Sequence, residues 1–333
     1  MTATWVEPDL RDEVVDFVKR WSAEEFDKKW VLAQLYLQPS KYYSWKDRYG
    51  KDNYHNGKIP RDYWITADER NAIVKFYQEH PEDGYRRATY MMIDADIAAV
   101  SPATAYRVLQ KEGVLRRWNN GGRSKKGTGF EQPLAPHEHW HTDISYLNIC
   151  GTFYYFIGIL DGSSRYLLNW DIRESMTEND VAIVLQKAHE LYKTAKPRVI
   201  SDNGSPYIAK DFKELIRISG MTHVRTSPYY PQSNGKMERF NRTMKSEAIR
   251  PKTPLSLCDA KRIVAKFVDH YNNVRLHSAI GFVTPLDKLN RREHEVFQAR
   301  DAKLEAARTK RKFLRDQQTV CSQFAAREFA VGY

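Results

Sequence analysis

Three strand-length runs stand back to back between residues 139 and 172, and they constrain the fold more than anything else in the chain. They read HWHTDISYLNI, TFYYFIGILD and SRYLLNWDI. Aromatic and β-branched residues are frequent in them, as a pleated and half-buried surface requires. Cys150-Gly151 joins the first two runs and the tight DGSS turn joins the second two, so hairpin connections give three antiparallel strands. The rhythm then changes. An amphipathic helix, TENDVAIVLQKAHELYKTA, starts with Thr177 as its cap, and a short apolar strand, RVISD, follows Pro197. Helix AKDFKELIRISG, strand THVRTS and the loop-and-helix segment SPYYPQSNGKMERFNRTMKSE complete the unit. Antiparallel strands followed by alternating helices and strands predict an α/β fold, with a mixed sheet covered by helices.

Ahead of this unit the pattern is helical. Ser22 and Glu25 have capping-box spacing, as have Thr66 and Glu69. In LQPSKYYSWKDRYG a turn leads into a short helix capped by Ser40. In DADIAAVSPATAYRVLQKEGVLRRW, Ser101 is the cap, Pro102 the first helical residue and Gly113 the stop. Two readings are open for each segment: a helix-turn-helix whose second helix enters a major groove, or a small bundle of capped helices without DNA contact. The sequence divides into a helical domain over 1–60, a second over 61–117 and a linker rich in Gly, Pro and Lys over 118–136. The α/β unit and its following helices span 137–290, and a charged helical tail spans 291–333.

Charge narrows the partners. With 53 Lys and Arg against 42 Asp and Glu, the 333-residue chain carries +11, and a polyanion is the first candidate. Cys150, Cys258 and Cys321 lie far apart and form no CxxC pair, which argues for a reducing cytoplasm and against a disulfide framework or a Cys-based zinc site. Neither a membrane span of ~18 apolar residues nor a signal peptide is expected.

The acids suggest chemistry. Asp143 sits in the first strand, Asp202 just past the fourth, and Glu238 in the first turns of the helix entered through SNGKM. The carboxyl ends of parallel strands are where sites gather in open sheets. Three carboxylates brought together repel one another unless a cation sits between them. Hard oxygen donors with open positions suit Mg²⁺ or Mn²⁺, and two such ions can serve phosphodiester displacement. The alternative for each acid is a cap or turn residue, since DNG and SNG are strong turn formers. His137, His139 and His141 alternate onto the strand face of Asp143, where they either bind metal or simply pack.

The stretches HWHTDISYL, VISDNGSPY, SPYYPQSNGKMERFNRTMK and HYNNVRLHSAIGFVTPLDKL together resemble the catalytic core of IS3-type insertion-sequence transposases and retroviral integrases. Thirty-five residues separate Asp202 from Glu238, the spacing of the D,D(35)E motif, and Lys245 supplies the basic residue seven positions after the glutamate. The helical N-terminus, including DGYRRATYMM, is similar to the region preceding the core in IS3-type enzymes, and the likeness covers roughly residues 30–290. The His₂Cys₂ module that opens a retroviral integrase has no counterpart in this chain.

The resemblance implies an RNase H-like core with a five-stranded sheet, preceded by helix-turn-helix domains. It implies a DNA strand transferase in which Asp143, Asp202 and Glu238 are catalytic and bind two Mg²⁺ ions, with Mn²⁺ as substitute. Lys236, Arg239, Arg242 and Lys245 would meet phosphates, and Tyr229, Gln232 and Asn234 would approach DNA from the loop. Candidate contacts on the recognition helices are Lys41, Tyr42, Arg107 and Lys111. The expected substrates are the terminal inverted repeats and target duplex, handled by a homodimer or larger assembly in the bacterial cytoplasm at the nucleoid. A second enzymatic reading is a stand-alone integrase or nuclease with the same metal site, and an alternative from another class is a catalytically inactive, transposase-derived DNA-binding regulator. The tail over 291–316 is assigned to DNA binding or multimerisation.

Overall fold

The computed structural model describes residues 6, 8–24, 26–50, 64–115, 132–226 and 234–330, with side chains for all of these but 8, 23, 24 and 318–330. Most of the expected 118–136 linker, and the loop positions Tyr229 and Gln232, lie outside the described residues. By internal contacts the chain divides into two units, Met1–Trp64 with Leu314–Tyr333, and Ile65–Phe313.

In the first unit, helices α1 (Pro8–Glu24), α2 (Lys28–Gln34) and α3 (Pro39–Lys46) bury Val15, Val18, Val31, Leu32, Tyr42 and Trp45 against one another. Two expected caps are corrected. Ser22 lies near the end of α1, where its hydroxyl donates to the Lys19 carbonyl, and α2 is capped by Asp27 instead. Ser40 is the second residue of α3. Gln38 is the cap residue and Pro39 starts the helix, because its fixed φ is already helical and it has no N–H to leave unpaired.

The second unit opens with α4 (Ala67–Glu79), α5 (Tyr85–Asp94) and α6 (Pro102–Lys111), packed through Ile73, Phe76, Met92 and Leu109. Here the local signals hold. Thr66 and Glu69 form the reciprocal capping box, Ser101 caps α6 with Pro102 in its first turn, and Gly113 follows the helix at φ 69°.

Strands β1 (His139–Ile149), β2 (Thr152–Asp161) and β3 (Leu167–Arg173) form the antiparallel meander. Cys150 and Gly151 both take positive φ, 49° and 86°, the paired left-handed conformation of a two-residue hairpin turn. Helix α7 (Glu178–Leu191), capped by Thr177, leads to β4 (Arg198–Ser201). The short α8 (Ser205–Ile208) and α9 (Lys210–Ile218) then lead to β5 (Thr222–Arg225). The sheet order is β3-β2-β1-β4-β5, with β4 parallel to both β1 and β5. This is the expected RNase H-like sheet.

One face is covered by α7, α8 and α9 through Trp140, Ile157, Val184 and Phe212. The other is covered by α10 (Gly235–Met244) and α12 (Leu257–Asn273) through Leu147, Phe156, Phe240 and Tyr271. A π-helical turn, Lys245–Ile249, and α11 (Arg250–Lys252) continue α10. After α12 come α13 (Pro285–Leu289) and the long α14 (Glu293–Ala330). Within the second unit, Arg300 of α14 makes a two-pronged pair with Asp94, and Arg311 does so with Glu69 while also donating to the Ala99 carbonyl. The tail's first half is therefore clamped to α4–α6 by buried arginines.

Candidate active site

Asp143 lies in mid β1 on the face that α10 covers. The parallel register pairs His141 with Ile200, so two residues further along Asp143 and Asp202 stand at the same level. Across the antiparallel pair the partner of Asp143 is Gly158, and a Cβ there would come within 2.8 Å of the Met237 side chain and 3.0 Å of Leu167. The missing side chain lets Met237 of α10 seat deeply on the sheet, and the next residue along that helix is Glu238.

Electrostatics record this convergence. Burial, then the charges of Asp202 and Glu238, push the Asp143 carboxyl up to about 6, against the pull of hydrogen bonds from Asn241 and the Ile144 amide. Asn241 Nδ2 donates to Asp143 Oδ2 at 3.0 Å and is itself buried. Asp202 is exposed beyond the end of β4, and its Oδ1 accepts from the Gly204 amide at 3.0 Å in an Asx turn. The turn reading holds at this residue, and the turn leaves the carboxylate exposed beside the end of β4. Ser201 beneath it is buried and bridges the Asp202 carbonyl and His223. Glu238 is exposed on the first turn of α10.

Among the described residues no group of three His, Cys, Asp or Glu stands close enough to hold a metal ion. The donor chemistry nonetheless fits a hard divalent cation. Burial first, and then the charges of Asp202 and Glu238, raise Asp143 to about 6, and a cation would relieve both the desolvation and the repulsion. The histidines fit the packing alternative, although His137 does not share the expected face. His137 precedes the strand at φ 65° and sits against Tyr192 with ring centroids 4.4 Å apart, away from the Asp143 face. His141 is on that face but fully buried, and burial, then Lys236 and Arg165, drop it to about 3, so it packs as a neutral ring.

The basic residues surround α10. Lys245, on the helix end, has its ammonium pulled down by burial while Asp143 opposes that shift. Lys236 donates to the Gly162 carbonyl at 2.9 Å, and burial and the Arg165 charge lower it to about 7. Arg239 and Arg242 are exposed and line a cavity of about 440 Å³ that also includes Glu238. Two expected DNA contacts are instead interior groups. Asn234 is buried and donates to the Thr142 carbonyl at 3.0 Å, fixing the entry to α10. Tyr42 is 1% exposed in the core of α1–α3, which leaves it no face for DNA. Lys41, Arg107 and Lys111 are exposed on their helices. The sequence reading missed Asn241, Gly158 and Arg165, whose significance depends on partners distant in the chain.

A family model described as "Integrase core domain" matches residues 133–231, and a second of the same description matches 219–285. The transposase for insertion sequence element IS629 of Shigella sonnei is 23% identical over 77% of this chain and 89% of its own length. Transposase InsD of insertion element IS2 from Escherichia coli is 25% identical over 72% of this chain and 84% of its own length. The HTLV-2 integrase catalytic core domain, solved in complex with magnesium, is 18% identical and superposes at a TM-score of 0.39, covering 46% of this chain and 97% of that one. No helix among the described residues is long and apolar enough to cross a membrane.

Proposed function

The chain belongs to the DDE superfamily of IS3-type transposases and retroviral integrases, and we propose that it cleaves DNA at transposon ends and transfers the freed 3′-OH to target DNA. The observation that carries this reading is the Asp143 carboxyl, raised to about 6 by burial and by two acids remote in sequence. Such mutual repulsion is costly in a resting fold and useful where divalent cations are to be held.

Asp143, Asp202 and Glu238 are the residues that would hold two Mg²⁺ ions, with Mn²⁺ as substitute. Bound there, the ions would activate the attacking oxygen and stabilise the leaving one. Asn241 keeps the Asp143 carboxylate oriented through its hydrogen bond. Lys245, Arg239 and Arg242 neutralise phosphates beside the cleaved bond. In the first step water attacks phosphorus and the P–O3′ bond breaks, leaving a 3′-OH. In the second, that hydroxyl attacks a target phosphodiester, forming one P–O3′ bond as another breaks, with no covalent protein–DNA link.

Helices α3 and α6 would read the terminal repeats, with Lys41, Arg107 and Lys111 as contacts. Two ends must be paired, so the working form is a homodimer or larger, at the nucleoid in the bacterial cytoplasm. End-labelled duplex from the DNA flanking the gene tests the reading. Mg²⁺-dependent nicking should disappear in Asp143→Asn, Asp202→Asn and Glu238→Gln while end binding persists. Undiminished nicking in all three variants would remove the proposal, and nicking without strand transfer would make the chain a nuclease.

A further inference from the structure

The cavity on the α12 side of α10 contains a charge that the proposed reaction does not use. Arg165 sits in the turn between β2 and β3 at φ 66°, a left-handed conformation that a residue with a long side chain rarely adopts. The turn enforces it. Asp161, fully buried, accepts hydrogen bonds from the amides of His137, Ser163 and Ser164 and from the Ser164 hydroxyl. Its backbone carbonyl accepts from the Arg165 amide at 3.0 Å. Gly162 is pressed against β1, where a Cβ would stand 2.9 Å from the His141 ring and 3.0 Å from the His139 carbonyl. Backbone strain of this kind persists where the surroundings over-determine it, and it concentrates at functional positions.

Two of the three guanidinium nitrogens so placed lack acceptors. Nε and Nη1 of Arg165 are sealed from solvent and have no hydrogen-bond partner among the described residues. Asp161 is near enough to attract the charge, but four donors already bind its carboxylate, three of them at Oδ2. The other charged walls are mostly cationic: Lys236, Arg239 and Arg242 face the same space, with Glu238 alone against them. A half-buried guanidinium among like charges, with two nitrogens sealed and unpaired, is costly unless an anion joins it. Arginine's planar fork is suited to phosphate oxygens.

We propose that this cavity of about 440 Å³ is a phosphate subsite in which Arg165, with Lys236 and Arg239, receives a backbone phosphate of the bound DNA. Glu238 is a shared wall, so the seated phosphate fixes the strand relative to the acids. The inference deepens the proposed function and rests on it for the identity of the strand.

The test measures binding of the full chain to labelled duplex by fluorescence anisotropy, without metal, across a range of salt. Arg165→Gln should weaken binding roughly tenfold and flatten the slope of log K against log salt by about 0.9, the share of a single neutralised phosphate. Arg165→Lys should keep the slope with weaker binding. Arg217→Gln, at an exposed arginine paired with Glu214 on α9, is the control and should change neither. A methylphosphonate scan should then find one position where neutralising the phosphate weakens the wild type and leaves Arg165→Gln unaffected. Should the Gln variant fail to fold, Arg165→Met, which keeps the side-chain length without the charge, takes its place in the slope and the scan.

A wild-type slope and scan pattern in folded Arg165→Gln, or in its uncharged substitute, would overturn the subsite. So would thermal stabilisation by inorganic phosphate that needs Arg165 while DNA binding does not, since the occupant is then a free anion. DNA binding that depends on Arg165 without metal-dependent nicking would instead leave the subsite standing and remove the reaction.

Discussion

Replacing Asp143 by Asn should stabilise the metal-free protein at neutral pH, although it destroys the proposed site. Burial, then Asp202 and Glu238, move this carboxyl from 3.8 to about 6, so its charged form is penalised in the fold. At about 1.4 kcal/mol for each pH unit the upper figure is about 3 kcal/mol, and partial solvent access brings the expected range to about 1–3 kcal/mol. The sign follows from the raised value. The native state favours the protonated acid, so this contribution is intact below pH 3.8 and is lost as pH rises to about 6. Asn cannot ionise and still accepts the hydrogen bond from Asn241 through its carbonyl oxygen.

Thermal unfolding of both proteins from pH 4 to 7.5, without metal, should show a gap in favour of the variant. The gap should be near zero at pH 4, open towards pH 6, stay flat above it, and amount to roughly 2–12 °C. Adding Mg²⁺ at pH 7 should stabilise the wild type and leave the variant unmoved. A variant less stable than wild type at pH 7 by a pH-independent margin would refute the reasoning, because the acids would then not repel one another.

Three further outcomes follow from the packing. Gly158→Ala should cost about 1–3 kcal/mol by overpacking against Met237, Leu167 and Phe156 and should slow cleavage more than it lowers stability; denaturant midpoints beside nicking rates check this. Asn241→Ala removes the donor that pulls Asp143 down, so the acidic limb of the pH–rate profile should move to higher pH, whereas an unchanged limb would deny Asn241 its positioning role. Arg311→Ala should cost about 3–5 kcal/mol by leaving the Glu69 carboxylate without its two-pronged partner, readable as a lowered melting temperature.

The sequence disclosed whatever depends on neighbouring residues. The hairpin at Cys150-Gly151, the Thr66–Glu69 box and the Ser101-Pro102 start are decided within a few residues, and all three are found as read. Local signals also compete, and that is where the reading failed. Ser22 and Ser40 have cap chemistry, but Asp27 and Pro39 lie nearer the actual starts of their helices. His137 shares the alternation of β1, yet a left-handed residue turns it out before the strand begins. The three acids were legible because their spacing is a family mark. Asn241, Gly158 and Arg165 were not: an asparagine becomes a partner for Asp143 only once the fold sets the two side by side, and a strand glycine acquires meaning from the methionine above it. Tyr42 looked like a surface contact because a tyrosine on a short basic helix reads the same whether it faces water or a core.

The most direct measurement is strand transfer itself. Duplex carrying one flanking end of the gene, already cut to expose its 3′-OH, is incubated with target plasmid, the full chain and Mg²⁺. Joined molecules should form with wild type and be absent with Glu238→Gln, while both proteins bind the end equally. Joining that survives in Glu238→Gln would contradict the account at its centre, as would its absence from wild type that binds the end.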